Sequence, residues 1–76
     1  MIIQYSKEAV KFIKKQDRPT QKRLLDAIED LPKGDVKKLQ GTNGYRLRVG
    51  TYRIIFDKKG NIIHIINIGN RGQIYK

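Results

Sequence analysis

The sequence contains no cysteine and no tryptophan, a single histidine, two prolines and only seven acidic residues in 76. Without cysteine there is no disulfide and no thiolate zinc site. With His64 as the one histidine, the usual nucleophile–histidine pairs are missing as well. Neither a metal nor a cofactor is therefore expected. No apolar run approaches the roughly 18–20 residues that cross a bilayer, and the N-terminus lacks the basic-then-apolar pattern of a signal peptide. These absences point to a soluble, cytoplasmic protein without a membrane partner. Gly41-Thr42-Asn43-Gly44 is too short and wrongly placed for a phosphate-binding loop. The length allows one small domain, residues 1–76, with no room for a second core.

What the chain does have is positive charge. Seventeen Lys and Arg against seven Asp and Glu give +10. So large a single-signed excess points to a polyanionic partner, nucleic acid before an acidic protein, and either before an anionic membrane. Leu, Ile, Val and Phe still make up 22 of the 76 residues, enough for a charged chain to fold.

The apolar pattern divides the chain in two. Met1–Tyr5 is short and β-rich, and Ser6 after it is a good helix N-cap. Ala9, Val10, Phe12 and Ile13 form one stripe on a lysine-covered helix from Lys7 to about Gln16. Asp17 suits a second cap, Pro19 a first turn, and Leu24, Leu25, Ile28 and Leu31 the stripe of a second helix that Pro32 and Gly34 end. Asp26, Glu29 and Asp30 on its outer face pair with Lys22, Arg23 and Lys33 rather than with a metal. From Gly44 the period becomes two. Strands are expected over Tyr45–Val49, Tyr52–Asp57 and Asn61–Ile68, with turns at Gly50-Thr51 and Lys58-Lys59-Gly60, and Gly69 ending the sheet. The last strand is so rich in isoleucine that both its faces should be covered. The expectation is an α+β fold: an N-terminal strand, a helical hairpin, then a three-stranded antiparallel meander with the helices on one face.

A two-residue turn at Gly50-Thr51 opposes Val49 to Tyr52, Leu47 to Ile54 and Arg48 to Arg53. Parity then buries Leu47, Val49, Tyr52, Ile54 and Phe56 and leaves Arg46, Arg48 and Arg53 together on the other face. Opposed arginines repel, a poor choice for stability. Between Val36 and Phe56 lie five basic residues, Lys37, Lys38, Arg46, Arg48 and Arg53, and no acidic one, so nothing local neutralises them. The face is either a solvated surface that blunts the sheet or a site for phosphate, which guanidinium forks bind bidentately. Arg71 and Tyr75 in the polar tail extend the set. Tyr75 either packs on the domain's own surface or stacks on a base and moves a proton. His64 faces the core or the arginines according to the register of its strand.

Leu39-Gln40-Gly41, the run Gly44-Tyr45-Arg46-Leu47-Arg48-Val49-Gly50-Thr51-Tyr52-Arg53-Ile54-Ile55-Phe56, then Ile68-Gly69-Asn70-Arg71 and Tyr75 resemble the RelE/ParE superfamily of toxins from bacterial type II toxin–antitoxin pairs. The resemblance covers the whole chain and is closer to the RelE-like messenger-RNA interferases. It implies a ribosome-dependent endoribonuclease that cuts mRNA by 2′-OH attack without a metal, inhibits translation and is neutralised by a cognate antitoxin. The family's catalytic positions fall on Arg46, Arg48, Arg53, Arg71 and Tyr75, with Lys37, Lys38, Arg46 and Arg48 along the RNA. Arg stands at the first two positions where some members have Lys, and Asn70 where many have His. Two alternatives belong beside this reading. One is a ParE-like inhibitor of DNA gyrase, and the other a non-catalytic basic module that holds RNA or an acidic protein.

Overall fold

Ser6 follows the first strand and ties the first helix to the strand at Ile65 and Ile66. The structure, a computed structural model, describes residues 2–41 and 43–70. In it β1 (Ile2–Tyr5) ends at Ser6, whose hydroxyl accepts from the Ala9 N–H at 3.1 Å and so caps α1 (Lys7–Lys14). The same hydroxyl donates to the Ile66 carbonyl at 2.6 Å, and the Ser6 N–H donates to the Ile65 carbonyl at 2.9 Å. Asp17 occupies the N-cap position of α2 (Arg18–Glu29), with Pro19 in its first turn as expected, but its side chain makes no capping hydrogen bond. Gln21 fastens the hairpin instead, its Nε2 donating to the Ile13 carbonyl at 2.9 Å.

Among the described residues five strands follow from the pairing, one more than the pattern predicted: β1, β2 (Asp35–Lys38), β3 (Gly44–Val49), β4 (Tyr52–Lys59) and β5 (Ile62–Asn70). Their order across the sheet is β1-β5-β4-β3-β2. β1 lies parallel to β5, while β2 to β5 form a four-stranded antiparallel meander rather than a three-stranded one. β2 escapes a pattern search because Asp-Val-Lys-Lys offers one apolar side chain, as an edge strand with only one buried contact can. The β4–β5 turn is Gly60-Asn61, with Gly60 at φ +57°, so Lys58 and Lys59 belong to the strand. Gly69 does not end the sheet either. It pairs with Arg53, and β5 continues to Asn70.

Both helices cover one face of the sheet. Ala9, Leu24, Ile28 and Leu31 share a single core with Leu47, Ile54, Phe56, Ile63, Ile65 and Ile68. Tyr5 packs against it, and burial, with Glu29 adding, pushes its phenol above the ordinary tyrosine value. The switch from Ile63 and Ile65 to Ile68 marks a bulge. Ile55 pairs with Asn67 and Phe56 with Ile65, so Ile66 is the extra residue and side-chain parity reverses there. The isoleucines of β5 therefore do not cover both faces, and Ile62 and Ile66 remain exposed. Among the described residues no helix is long and apolar enough to cross a membrane.

Ser6 holds both the α1 cap and the carbonyl of the bulged residue, so Ser6→Ala should destabilise the fold by about 1–2 kcal/mol. Urea unfolding measures this. A loss no larger than that of Ser→Ala at an exposed helical site would show that the strap contributes nothing.

Candidate nucleic-acid interface

The turn at Gly50-Thr51, with Gly50 at φ +58°, pairs β3 and β4 in the anticipated register: Val49 with Tyr52, Arg48 with Arg53, and Leu47 with Ile54. Leu47, Ile54 and Phe56 are buried under the helices, with Val49 and Tyr52 packed at the margin. The pleat sends Arg46, Arg48 and Arg53 to the face the helices leave open.

β2 adds the other wall. Its register opposes Asp35 to Arg48 and Lys37 to Arg46, so two rows cross the open face. One runs Asp35, Arg48, Arg53 and Gly69; the other runs Lys37, Arg46, Ile55 and Asn67. Lys38 emerges on the opposite pleat, across from Tyr45. Together the chain at Lys37, Lys38, Leu39 and Gln40 and the three arginines line a groove of about 310 Å³. A second hollow of about 570 Å³, lined by Lys38, Leu39, Gln40, Gly41 and Asn43, continues from it along the loop after β2.

The three guanidiniums are not equivalent. Arg48 is well exposed, Arg53 is half-buried, and Arg46 is only 7% exposed. Arg46 Nη1 is buried with no hydrogen-bond partner. Its Nη2 lies 4.0 Å from Asp35 Oδ1, and Arg48 Nε lies 3.7 Å from Asp35 Oδ2. These are ion pairs beyond hydrogen-bond length. A buried guanidinium with an unused donor bears a desolvation penalty that an incoming oxyanion would offset.

Asp35 corrects the expectation that nothing nearby neutralises the cations. It lies one residue outside the stretch without acids, and only the unanticipated strand β2 brings it to the arginines. His64 is placed by its partners. It pairs with Asp57 on β4 and Gln4 on β1, which puts it on the open face, in a row apart from the groove lining. Arg71 and Tyr75 lie outside the described residues. Gln40 and Leu39 contribute to the groove without having been singled out as site residues. Among the described residues no three His, Asp or Glu side chains gather as a metal site would require.

Residues 3–75 match the family described as the ParE toxin of the type II toxin–antitoxin system, parDE. No curated protein matches the chain significantly. Among solved structures, the fold is similar to one in the RelB–RelE antitoxin–toxin complex of Methanococcus jannaschii, at 32% identity and a TM-score of 0.78 over 95% of this chain and 94% of that one. A chain of the archaeal RelE–RelB complex from Pyrococcus horikoshii OT3 is also 32% identical, with a TM-score of 0.74 over 95% and 96% of the two chains. The intact E. coli RelBE complex contributes a likeness of fold, at 18% identity and a TM-score of 0.64 over 95% and 98%.

Arg46 tests whether this face is arranged for binding or for stability. Its charge is buried against one loose partner, the exposed Asp35, so Arg46→Met, an apolar side chain of similar reach, should melt no lower than wild type. Binding of heparin or RNA should weaken in the same variant. A clear fall in melting temperature would make Arg46 a structural residue.

Proposed function

The chain belongs to the ParE toxin family of type II toxin–antitoxin systems, and from that premise we propose that it inhibits translation as a metal-independent endoribonuclease acting on ribosome-bound mRNA. The observation that supports this most is Arg46, a nearly buried guanidinium with an unused donor on a groove shared with Arg48 and Arg53. RNA carries its own nucleophile. The protein need only align the 2′-OH, take its proton, balance charge on the pentacoordinate phosphorane and protonate the departing 5′-oxygen. Attack closes a 2′,3′-cyclic phosphate as the P–O5′ bond breaks.

Arg53 is central to the open-face row and is permanently charged, which suits it to the phosphorane. Arg46 and Arg48 hold the flanking phosphates, with Lys37 and Lys38 at the groove's outer wall. Arg71 is proposed as a second charge-balancing group, and Tyr75 as a proton-transferring one. In so small an enzyme the ribosome would supply much of the substrate's positioning.

The partner proposed is a cognate antitoxin, as RelB is in the complexes of the similar chains. With +10 to attract it, an acidic or amphipathic segment laid over the arginines would associate fast and in a salt-sensitive way. Membership of the ParE toxin family supports the second reading, inhibition of DNA gyrase.

Arg53→Gln separates these readings. It removes a cross-strand repulsion with Arg48 and should leave stability within about 1 kcal/mol of wild type. Cleavage of ribosome-bound mRNA should nevertheless fall by roughly 10² or more, since a group that balances transition-state charge is worth several kcal/mol. Normal cleavage by the variant would move the site elsewhere. Pulse labelling after induction of the wild type should show protein synthesis stopping first. DNA synthesis stopping first, with messages intact, would replace the ribonuclease with the gyrase reading.

A further inference from the structure

Asp35 places a carboxylate beside a groove whose lining includes five cations, Lys37, Lys38, Arg46, Arg48 and Arg53. Its side chain is 56% exposed and reaches two guanidiniums at once, Arg48 Nε at 3.7 Å and Arg46 Nη2 at 4.0 Å. Neither distance is that of a hydrogen bond, so both pairs are loose. A carboxylate set between two guanidiniums takes the place a phosphodiester would take. The phosphate is the stronger ligand there, because its oxygens match guanidinium forks bidentately. Arg46 Nη1, buried and unbonded, is a donor that the carboxylate leaves unused.

We propose that Asp35 is a built-in competing anion, which occupies Arg46 and Arg48 in the free protein and yields them to an RNA phosphate. The inference rests on the reading of the groove as a phosphodiester site. Its consequence is selectivity. A net charge of +10 attracts polyanions whatever their sequence, and an internal carboxylate would set a threshold that only a ligand engaging both forks passes. The sign of the effect distinguishes this from a structural ion pair. If Asp35 were needed to hold the arginines in place, losing its charge would weaken binding. If it competes, losing its charge strengthens binding.

The test uses the whole chain and a 2′-O-methyl RNA oligonucleotide of about 10 nucleotides, which cannot be cleaved, with affinity read by fluorescence anisotropy. Asp35→Asn keeps the shape of an exposed side chain. At about 0.05 M salt it should tighten binding about three- to tenfold, the scale of loose ion pairs released, with the gain shrinking as salt rises. Arg46→Met and Arg48→Gln should weaken it. Asp26→Asn is the control: it adds the same unit of charge on α2, where Asp26 pairs with Lys22, and should change affinity less than about twofold. Unchanged or weaker binding by Asp35→Asn, with both arginine variants impaired, overturns the competing anion and spares the groove. Equal gains from Asp26→Asn and Asp35→Asn overturn it in favour of net charge. Binding indifferent to Arg46 and Arg48 overturns the groove itself.

Discussion

The register of the β3–β4 hairpin is the constraint on which the rest depends. A slip of one residue would turn Leu47, Ile54 and Phe56 to water and drive arginines under the helices. Each of those apolar side chains contributes about 1.5–3 kcal/mol by its burial, while an unpaired buried charge costs several kcal/mol. Against that, the opposition of Arg48 and Arg53 costs at most about 1 kcal/mol. The core wins by a wide margin, so the arginines converge on the open face whether or not their mutual repulsion is welcome. The function proposed above uses a clustering that the hydrophobic pattern enforces.

That hairpin was readable because a glycine-first turn separates two alternating runs, and alternation is a signal a single chain displays. Other parts were hidden for equally physical reasons. β2 has one apolar residue, Val36, and is defined by its pairing with β3 rather than by its own composition. The bulge in β5 was invisible because isoleucines fill positions of both parities, so no alternation existed to break. Asn67 and Ile66 reveal it only once their partners are known. The acidic residue at the groove was hidden in turn by the missing strand: Asp35 neighbours Arg48 across a ladder, not along the chain.

The two irregular features support each other across the sheet. The bulge reverses parity so that Ile68 reaches the core after Ile63 and Ile65, and it turns out the Ile66 carbonyl that Ser6 takes. Ser6 thereby fixes the start of α1 against β5, while α2 brings Leu24 and Ile28 to the same core. Both helices are spent on one face. The other is left to carry charge, and its groove lies at the β2 and β3 side, away from the β1 edge.

Arg46 shows most directly that this face answers to something other than stability. An interior position of a central strand, flanked by Ile55 across the ladder, would accept an apolar residue without strain. The chain instead buries a guanidinium there and gives it only an ion pair at 4.0 Å to an exposed carboxylate, a contact worth at most about 1 kcal/mol. Among the described residues no closer partner repays the desolvation of that charge. A ligand can, provided it brings oxyanions to a donor already held in place. Preorganisation of this kind has the largest effect when charge develops during reaction, because the donor need not leave water at that moment. An exposed lysine would attract RNA equally well at long range, but it would arrive hydrated and mobile. The buried arginine therefore fits chemistry on a phosphodiester better than it fits attraction alone.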